Sequence, residues 1–400
     1  MKSNRLSLLA STICVAFGML ACTTVPPETR PAPAEPPAKP AQPPKPVETL
    51  KPVSFADLPG WQQDDLRQAW PAFLASCQVM VKKPDWQEPC EVARDVNPAD
   101  PNTIRVFLES FFTPHRVANV DGSEQGMVTG YYEPLLRGAR KRGGPYQTPL
   151  HGVPDDLLVI DLSSVYPELK NMRLRGKVVG RKVMPYLSRG DMEEANSLSG
   201  KELLWVDDPV EAFFLQVQGS GRVQLTDTRE TVRLAYADQN GHPYKSIGRY
   251  LIDKGEMSLS QASAQSIKAW VAANPARRQE VLNANPSYVF FREEKLPDPR
   301  VGPKGSLGVP LTSERSIAVD TQFIPLGAPV FLATTQPNSE RPLQRLMLAQ
   351  DTGGAIRGAV RADFFWGFGA VAGEHAGKMK QAGRMWVLLP KLPAMLRTAR

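Results

Sequence analysis

Leu346-Met-Leu-Ala-Gln-Asp351-Thr-Gly-Gly-Ala-Ile-Arg-Gly-Ala-Val-Arg361-Ala-Asp363-Phe-Phe-Trp366-Gly-Phe-Gly369 is the stretch on which the reading of this chain turns. Leu346 to Ala349 is a short apolar run of the kind that forms a buried strand. Asp351 stands just past its end, and Gly353-Gly354 turns the chain. Asp363 follows twelve residues after Asp351, directly ahead of Phe364, Phe365 and Trp366. A carboxylate beside apolar rings is poorly solvated, which raises its pKa. A carboxyl group kept neutral near pH 7 can serve as a general acid. Local sequence also allows plain structural roles, with Asp351 capping a turn and Asp363 serving as a helix N-cap.

Upstream, Ser316-Ile-Ala-Val-Asp320-Thr-Gln-Phe-Ile-Pro325-Leu-Gly327 repeats part of the pattern: a strand ending in an aspartate, then a Pro-x-Gly turn. Val330–Ala333 and Trp386–Leu389 read as further strands. Between Glu133 and Asn285 short apolar runs alternate with Gly/Pro/Asp turns, at Leu157–Ile160, Leu203–Val206, Ala212–Val217 and Arg222–Leu225, and these are β signals. Ser287–Phe291 returns to strand. Gly126 to Pro134 reads as a strand carrying Tyr131 and Tyr132, either ordinary sheet packing or a wall for a ligand. Gln216-Val-Gln218-Gly219-Ser220-Gly221 offers hydrogen-bonding side chains and close backbone approach, and is as readily a hairpin turn. Helical spacing predicts helices within Phe55–Cys90, over Asn102–Phe112, Ile247–Lys254 and Ser260–Ala273. The fold class is mainly β with helices at the front and in the middle.

The chain has 400 residues, enough for one large or two ordinary domains, and its 42% hydrophobic and 22% charged content fits a packed core. Net charge is +7, from 48 basic and 41 acidic residues without a long Lys/Arg block, which argues against nucleic acid and suits an acidic polymer. Lys2 and Arg5 precede an apolar stretch, Leu6–Leu20, too short and too Ser/Thr-broken for a membrane span. It ends in Leu20-Ala21-Cys22, resembling a lipobox, so residues 1–21 are expected to be a signal peptide and Cys22 a lipidated anchor. Thr23 replaces the Asp of an inner-membrane retention signal, which favours the outer membrane, facing the periplasm. Pro26 to Pro46 holds ten prolines in 21 residues, an extended tether within residues 22–54. Cys77 and Cys90 remain as one pair in an exported protein, and a disulfide is the natural reading. Four histidines and no Cys-x-x-Cys speak against a zinc site, so no metal is expected.

Asp320, Asp351 and Asp363 lie in the frames Asp-Thr-x-Phe-Ile-Pro-x-Gly, Asp-Thr-Gly-Gly-Ala-Ile-x-Gly and Arg-Ala-Asp-x-x-x-Gly. Together these resemble the three-aspartate barrel domain of bacterial cell-wall enzymes. With Gly130-Tyr-Tyr-Glu-Pro, Gln218-Gly-Ser-Gly, Tyr244-Lys-Ser-Ile-Gly-Arg249 and Pro286-Ser-Tyr-Val-Phe-Phe291 added, the chain from about Val128 to Leu389 resembles the membrane-bound lytic murein transglycosylase A family. The resemblance implies a double-psi β-barrel domain assembled from residues 55–132 and 286–400. A smaller β domain, residues 133–285, would be inserted in it, with a substrate groove between the two. It implies cleavage of the MurNAc–GlcNAc β-1,4 bond of peptidoglycan with formation of a 1,6-anhydro sugar, and no cofactor. The single catalytic acid carries over to Asp363, with Asp351 and Asp320 as neighbours that shape its charge. Tyr131, Tyr132, Gln216, Gln218, Gly219, Ser220 and Trp366 are the expected substrate contacts. Peptidoglycan strands are the expected partner, with the membrane reached through the lipid, and complexes with cell-wall synthases or hydrolases are compatible with this.

Two other readings compete. Asp351-Thr352-Gly353 after an apolar strand is the local signature of an aspartic protease, but Asp320-Thr321-Gln322 fails as its partner at the third position. A non-catalytic glycan-binding lipoprotein would use the same groove and tether.

Overall fold

The computed structural model describes residues 48–169, 172–296 and 298–391. The expected signal segment, Cys22 and the expected tether up to residue 47 lie outside the described residues, while the last part of the expected tether, residues 48–54, is described and contains the strand Leu50–Pro52. The chain runs β1 (Leu50–Pro52), α1 (Trp70–Met80), α2 (Pro84–Val92), α3 (Pro101–Phe111), β2 (Phe112–Val117), β3 (Gly126–Glu133), β4 (Leu135–Ala139), β5 (Thr148–His151) and β6 (Leu158–Val159). It continues through β7 (Arg175–Val179), β8 (Lys182–Pro185), α4 (Arg189–Glu194), β9 (Glu202–Val206), α5 (Pro209–Gln218), β10 (Gly221–Leu225), β11 (Thr231–Gln239), α6 (Ile247–Asp253), α7 (Ala264–Ala273), α8 (Arg278–Asn283) and β12 (Val289–Lys295). It ends in β13 (Ser316–Val319), β14 (Pro329–Thr335), β15 (Pro342–Asp351), β16 (Arg361–Phe368), α9 (Gly369–Lys378) and β17 (Lys380–Pro390).

Strands β17, β14, β15, β13, β16 and β3 pair in that order, and β17 pairs again with β3, so the six close into a hydrogen-bonded ring. β2 and then β1 extend the sheet from β17. Two pairings in the ring are parallel, β13 with β15 and β16 with β3. β13 is buried at every residue and β14 at all but its last. Strands covered on both faces read as unbroken apolar runs, which is why this part of the ring was visible in the sequence. A second sheet, ordered β12-β11-β10-β4-β9-β5, and a three-stranded sheet, β6-β7-β8, complete the β structure. The ring and the second sheet have separate apolar cores.

The segment Phe55–Cys90, expected to be helical, is divided. Two short 3-10 turns precede α1, and α2 restarts at Pro84, with each helix placing a proline in its first turn, where the missing N–H costs nothing. Trp70, Phe73, Phe107 and Phe112 pack edge-on and stacked at the junction of α1, α3 and β2. Arg315 donates to both carboxylate oxygens of buried Asp64, at 2.9 Å each, and the Gln350 amide donates to Ala72 O and Ser76 Oγ. These buried bonds fasten the front helices to the ring beside Asp351.

The reading of Ala212–Val217 as a strand is corrected, since these residues lie in α5. Asp208 caps it, its Oδ1 accepting from Val210 N and Glu211 N, Pro209 opens it, and Gly219 at φ +83° closes it. A short apolar run fits helix or strand equally, and here the caps decide.

Cys77 of α1 and Cys90 of α2 are joined by a disulfide. The bridge closes a loop of sequence separation 13, for which chain entropy gives about 3 kcal/mol of stabilisation. Reduction of the folded protein is expected to lower its unfolding free energy by about that amount in urea titrations with and without reductant. An unchanged midpoint would remove the bridge from any stabilising role.

Candidate active site

Asp363 lies on β16 and Asp351 ends β15, with β13 between them. Both register against the same residue, Ala318. Two inter-strand spacings separate their backbones by about 10 Å, and both side chains reach one cavity of about 290 Å³. Thr129, Tyr131, Arg173, Gln218 and Tyr236 also line it. The cavity shares Thr129, Gly130, Val217, Gln218 and Tyr244 with a larger one of about 1370 Å³ that runs between β3, α5, α7 and α9. Together they form a continuous cleft, larger than the roughly 300–1,000 Å³ of a small-molecule site.

The two carboxylates are held differently. Asp351 accepts three hydrogen bonds: Oδ1 from Ser306 N and Ser306 Oγ, both at 2.9 Å, and Oδ2 from the Tyr131 hydroxyl at 3.0 Å. Asp363 accepts one, from Thr129 Oγ1 to Oδ1 at 2.6 Å, and its Oδ2 has no partner among the described residues. Burial raises the pKa of both. At Asp351 its own hydrogen bonds oppose the rise. At Asp363 the Thr129 bond and the Arg361 charge oppose it, while the Asp351 charge adds to it. Of the pair, Asp363 is the one able to hold a proton on a free oxygen.

The rings expected to desolvate Asp363 are not Phe364 and Trp366. Strand alternation turns those two to the other face. There Phe364 packs in the ring's core, and Trp366 stacks on His375 at 4.7 Å and donates its indole N–H to Met379 Sδ at 3.3 Å. Trp366 therefore does not line the cleft. Phe365 and Tyr131 form the apolar wall on the carboxylate side, with Leu311, Ala318 and Ile356. The helix N-cap alternative for Asp363 is likewise excluded, because the residue sits inside β16.

Asp320 is buried and stands outside the cavity. Its Oδ1 accepts from Gln322 N at 3.1 Å and its Oδ2 from Gly358 N at 2.9 Å, so it ties the loop before β16 to the end of β13. Neither contact reaches Asp363. Gln218 Oε1 accepts from Tyr132 N at 3.0 Å and joins α5 to β3. Gln216 is buried, its Oε1 occupied by Arg189 Nη2 at 2.7 Å. Tyr132 lines the larger cavity, Gly219 the smaller one, and Ser220 a side cavity next to Asp351.

The profile for the MltA specific insert domain matches residues 127–292, and that for the 3D domain matches residues 315–389. A lytic transglycosylase, LtgG, of Burkholderia pseudomallei is 48% identical in a structural superposition that covers 86% of this chain and 96% of that one, with a TM-score of 0.58. The chain belongs to the membrane-bound lytic murein transglycosylase A (MltA) family. The Escherichia coli K12 member of that name is 33% identical over 268 residues, which span 65% of this chain and 64% of the relative. A structure of E. coli MltA with bound chitohexaose, 26% identical, covers 86% of this chain and 95% of that one at a TM-score of 0.66. No helix among the described residues is long and apolar enough to cross a membrane.

Several residues of this MltA-family cleft were not singled out from sequence. Thr129 and Arg361 contact each other and Asp363 or its partner, Ser306 holds Asp351, and Arg173 donates to Thr352 Oγ1 at 3.1 Å over the Tyr236 ring. The available signal was period-two alternation, which sets Thr129 beside Tyr131 and Arg361 beside Asp363 on one face.

Proposed function

We propose that this protein is a peptidoglycan lytic transglycosylase that cleaves the MurNAc–GlcNAc β-1,4 bond and leaves a 1,6-anhydro-muramic end. The carrying observation is that, of the two carboxyl groups in the inner cavity, Asp363 alone keeps an oxygen free of donors among the described residues, in a site where burial favours its neutral form. Neutral Asp363 protonates the glycosidic oxygen, the C1–O bond breaks, and an oxocarbenium-like sugar forms. The carboxylate then takes the proton from the sugar's own 6-hydroxyl, whose oxygen bonds to C1 and closes the anhydro ring. A hydrolase would need a second carboxylate free to activate water or trap the sugar. Asp351, with three donors on its oxygens, is poorly placed for either. Its role is to anchor Tyr131 and, by its charge, to favour protonation of Asp363. Asp320 supports the loop before Asp363. Tyr132, Gln218, Gly219 and Ser220 offer contacts along the glycan, Gln216 lines the inner cavity with its Oε1 held by Arg189, and Trp366 supports the cleft from behind.

The chitohexaose bound to the E. coli relative supports a cleft for β-1,4-linked amino sugars. We read the closed six-stranded ring as the double-psi barrel domain and the second sheet as the insert, with the cleft between them; the expected boundaries, 55–132 and 286–400 around 133–285, shift at one point, because β12 (Val289–Lys295) pairs with β11 in the second sheet and so goes with the insert. The protease reading loses support, since Asp320 is committed to Gln322 and Gly358 and shares no proton with Asp351. Digestion of purified sacculi followed by mass analysis of the released muropeptides tests the proposal. Anhydro ends are expected, reducing ends would mean that water attacks, and release of nothing would leave a glycan-binding protein.

Cys22 is read as the lipidated first residue of the mature protein, holding it at the outer membrane, in keeping with relatives named membrane-bound. Several acyl chains anchor stably at roughly 0.8 kcal/mol per buried methylene. Cys22→Ala is expected to shift the protein to the soluble fraction or to block processing. Unchanged, detergent-requiring sedimentation with membranes would refute the anchor.

A further inference from the structure

We propose that Arg361 is a positioning residue that acts through the Thr129 hydroxyl to keep the exchangeable proton of Asp363 on Oδ2, the oxygen without a partner among the described residues. The inference rests on the reading of Asp363 as the acid and goes beyond it to how that acid is set.

Arg361 and Asp363 are two apart on β16 and share a face, and Asp363 registers directly against Thr129 on β3. Arg361 Nη2 donates to Thr129 Oγ1 at 2.9 Å, and Thr129 Oγ1 lies 2.6 Å from Asp363 Oδ1. A guanidinium can only donate, and a threonine hydroxyl has one proton. With the cation on its lone pair, Thr129 becomes a poorer acceptor and a stronger donor, so its proton goes to Oδ1. A proton on Oδ1 would have to displace that bond, whereas one on Oδ2 displaces nothing.

The cation also acts at one remove. Arg361 makes no ion pair with Asp363. Its other guanidinium nitrogen is engaged by the carbonyls of Ala362 and Met127, which keeps the head group from swinging onto the carboxylate. Direct pairing with arginine lowers a carboxyl pKa by roughly 1–3 units and would leave no neutral acid. Relayed through a hydroxyl, the same charge tempers the rise caused by burial without cancelling it. The groups around Asp363 on the packed elements are Asp351 from β15, Tyr131 from β3, Lys380 at the register partner of Thr129 on β17, and Arg173 and Arg189 across the cavity. Tyr236 and Tyr244 complete the titratable lining of the cavity; Asp351 is the one of these that bears on Asp363, with a sign opposite to that of Arg361.

The test is the pH dependence of kcat/KM on soluble murein glycan strands for Arg361→Met, Arg361→Lys and Thr129→Val, with thermal melts to confirm folding. Because the acid must enter protonated, its alkaline limb marks loss of that proton, and a higher pKa moves the limb up. Arg361→Met is expected to raise the limb by roughly one pH unit and Arg361→Lys to leave it near the wild-type position. Thr129→Val should raise it as Arg361→Met does, and the double variant should add little to either. If Arg361→Met does not fold, Thr129→Val carries the test alone. A limb that stays put while activity drops would reduce Arg361 to a packing residue and overturn the proposal, as would a limb that moves down. Asp363→Asn in the same assay separates the two ideas: activity retained there would sink the acid itself, whatever Arg361 does.

Discussion

Asp363→Asn is expected to lower glycan cleavage by a factor on the order of 100–10,000 or more while leaving the strand bound. Asparagine keeps the shape of the side chain, and its amide oxygen can still accept from Thr129 at the position of Oδ1. What replaces Oδ2 is an NH2 group, which cannot give a proton to the leaving oxygen or take one from the 6-hydroxyl. Both halves of the proposed cycle fail together, because one group performs both. Asp351→Asn should cost less. It removes a charge whose effect is to raise the pKa of Asp363, so the alkaline limb of kcat/KM should move to lower pH, opposite to Arg361→Met. Release of muropeptides from sacculi, alongside a pull-down of the variant on intact sacculi, measures the two effects. Normal turnover by Asp363→Asn with loss in Asp351→Asn would transfer the catalytic role to the earlier aspartate. Loss of binding together with turnover in Asp363→Asn would mean that the carboxylate supports the cleft itself.

The parts of this site that were legible in the sequence are those carried by local pattern. Leu346–Ala349 and Ser316–Val319 announce buried strands because both faces of each are covered, and the aspartates stand out because they follow such runs. The mainly β reading with helices follows from the same runs. What was not legible depends on contacts that no local pattern encodes. Thr129 lies 234 residues from Asp363 and meets it only because β3 and β16 pair in parallel. Ser306 reaches Asp351 from an irregular loop with no periodic signal. Phe364 and Trp366 were placed beside the acid by sequence adjacency, but in a strand odd separations mean opposite faces, and only a helix would have brought Trp366, three residues on, round to Asp363. Ala212–Val217 failed for a related reason. Six apolar or amide residues carry little periodicity, and the deciding information lay in Asp208, Pro209 and Gly219 on either side.

Glu133→Ala is expected to destabilise the protein by about 3–5 kcal/mol, one of the larger effects available to a single substitution outside the cleft. Glu133 is fully buried at the end of β3, where the chain leaves the ring and passes through Pro134 into β4 of the second sheet. Arg222 of β10 donates to its Oε2 at 2.8 Å, and Arg233 of β11 donates to Oε1 at 2.5 Å and to Oε2 at 3.1 Å. Both arginines also hold the carbonyl of Val301, and Arg222 that of Pro299, in the segment that returns from β12 toward β13. One carboxylate thus organises both passages of the chain between the two sheets. Removing it leaves two buried guanidinium groups sharing only carbonyl partners, and their mutual repulsion and lost solvation are uncompensated. Arg222 also covers the Phe368 ring at 3.8 Å, so the disturbance reaches the end of the strand that carries Asp363. Urea unfolding followed by circular dichroism gives the stability change, and activity at low temperature, where the variant remains folded, gives the effect on the cleft. Replacing all three charges together with apolar residues of similar volume should recover most of the lost stability, since the cost comes from orphaned cations and not from the absence of a salt bridge. A Glu133→Ala variant as stable as the parent would mean that the arginines find water or other acceptors, and that the crossing segments are held by packing alone.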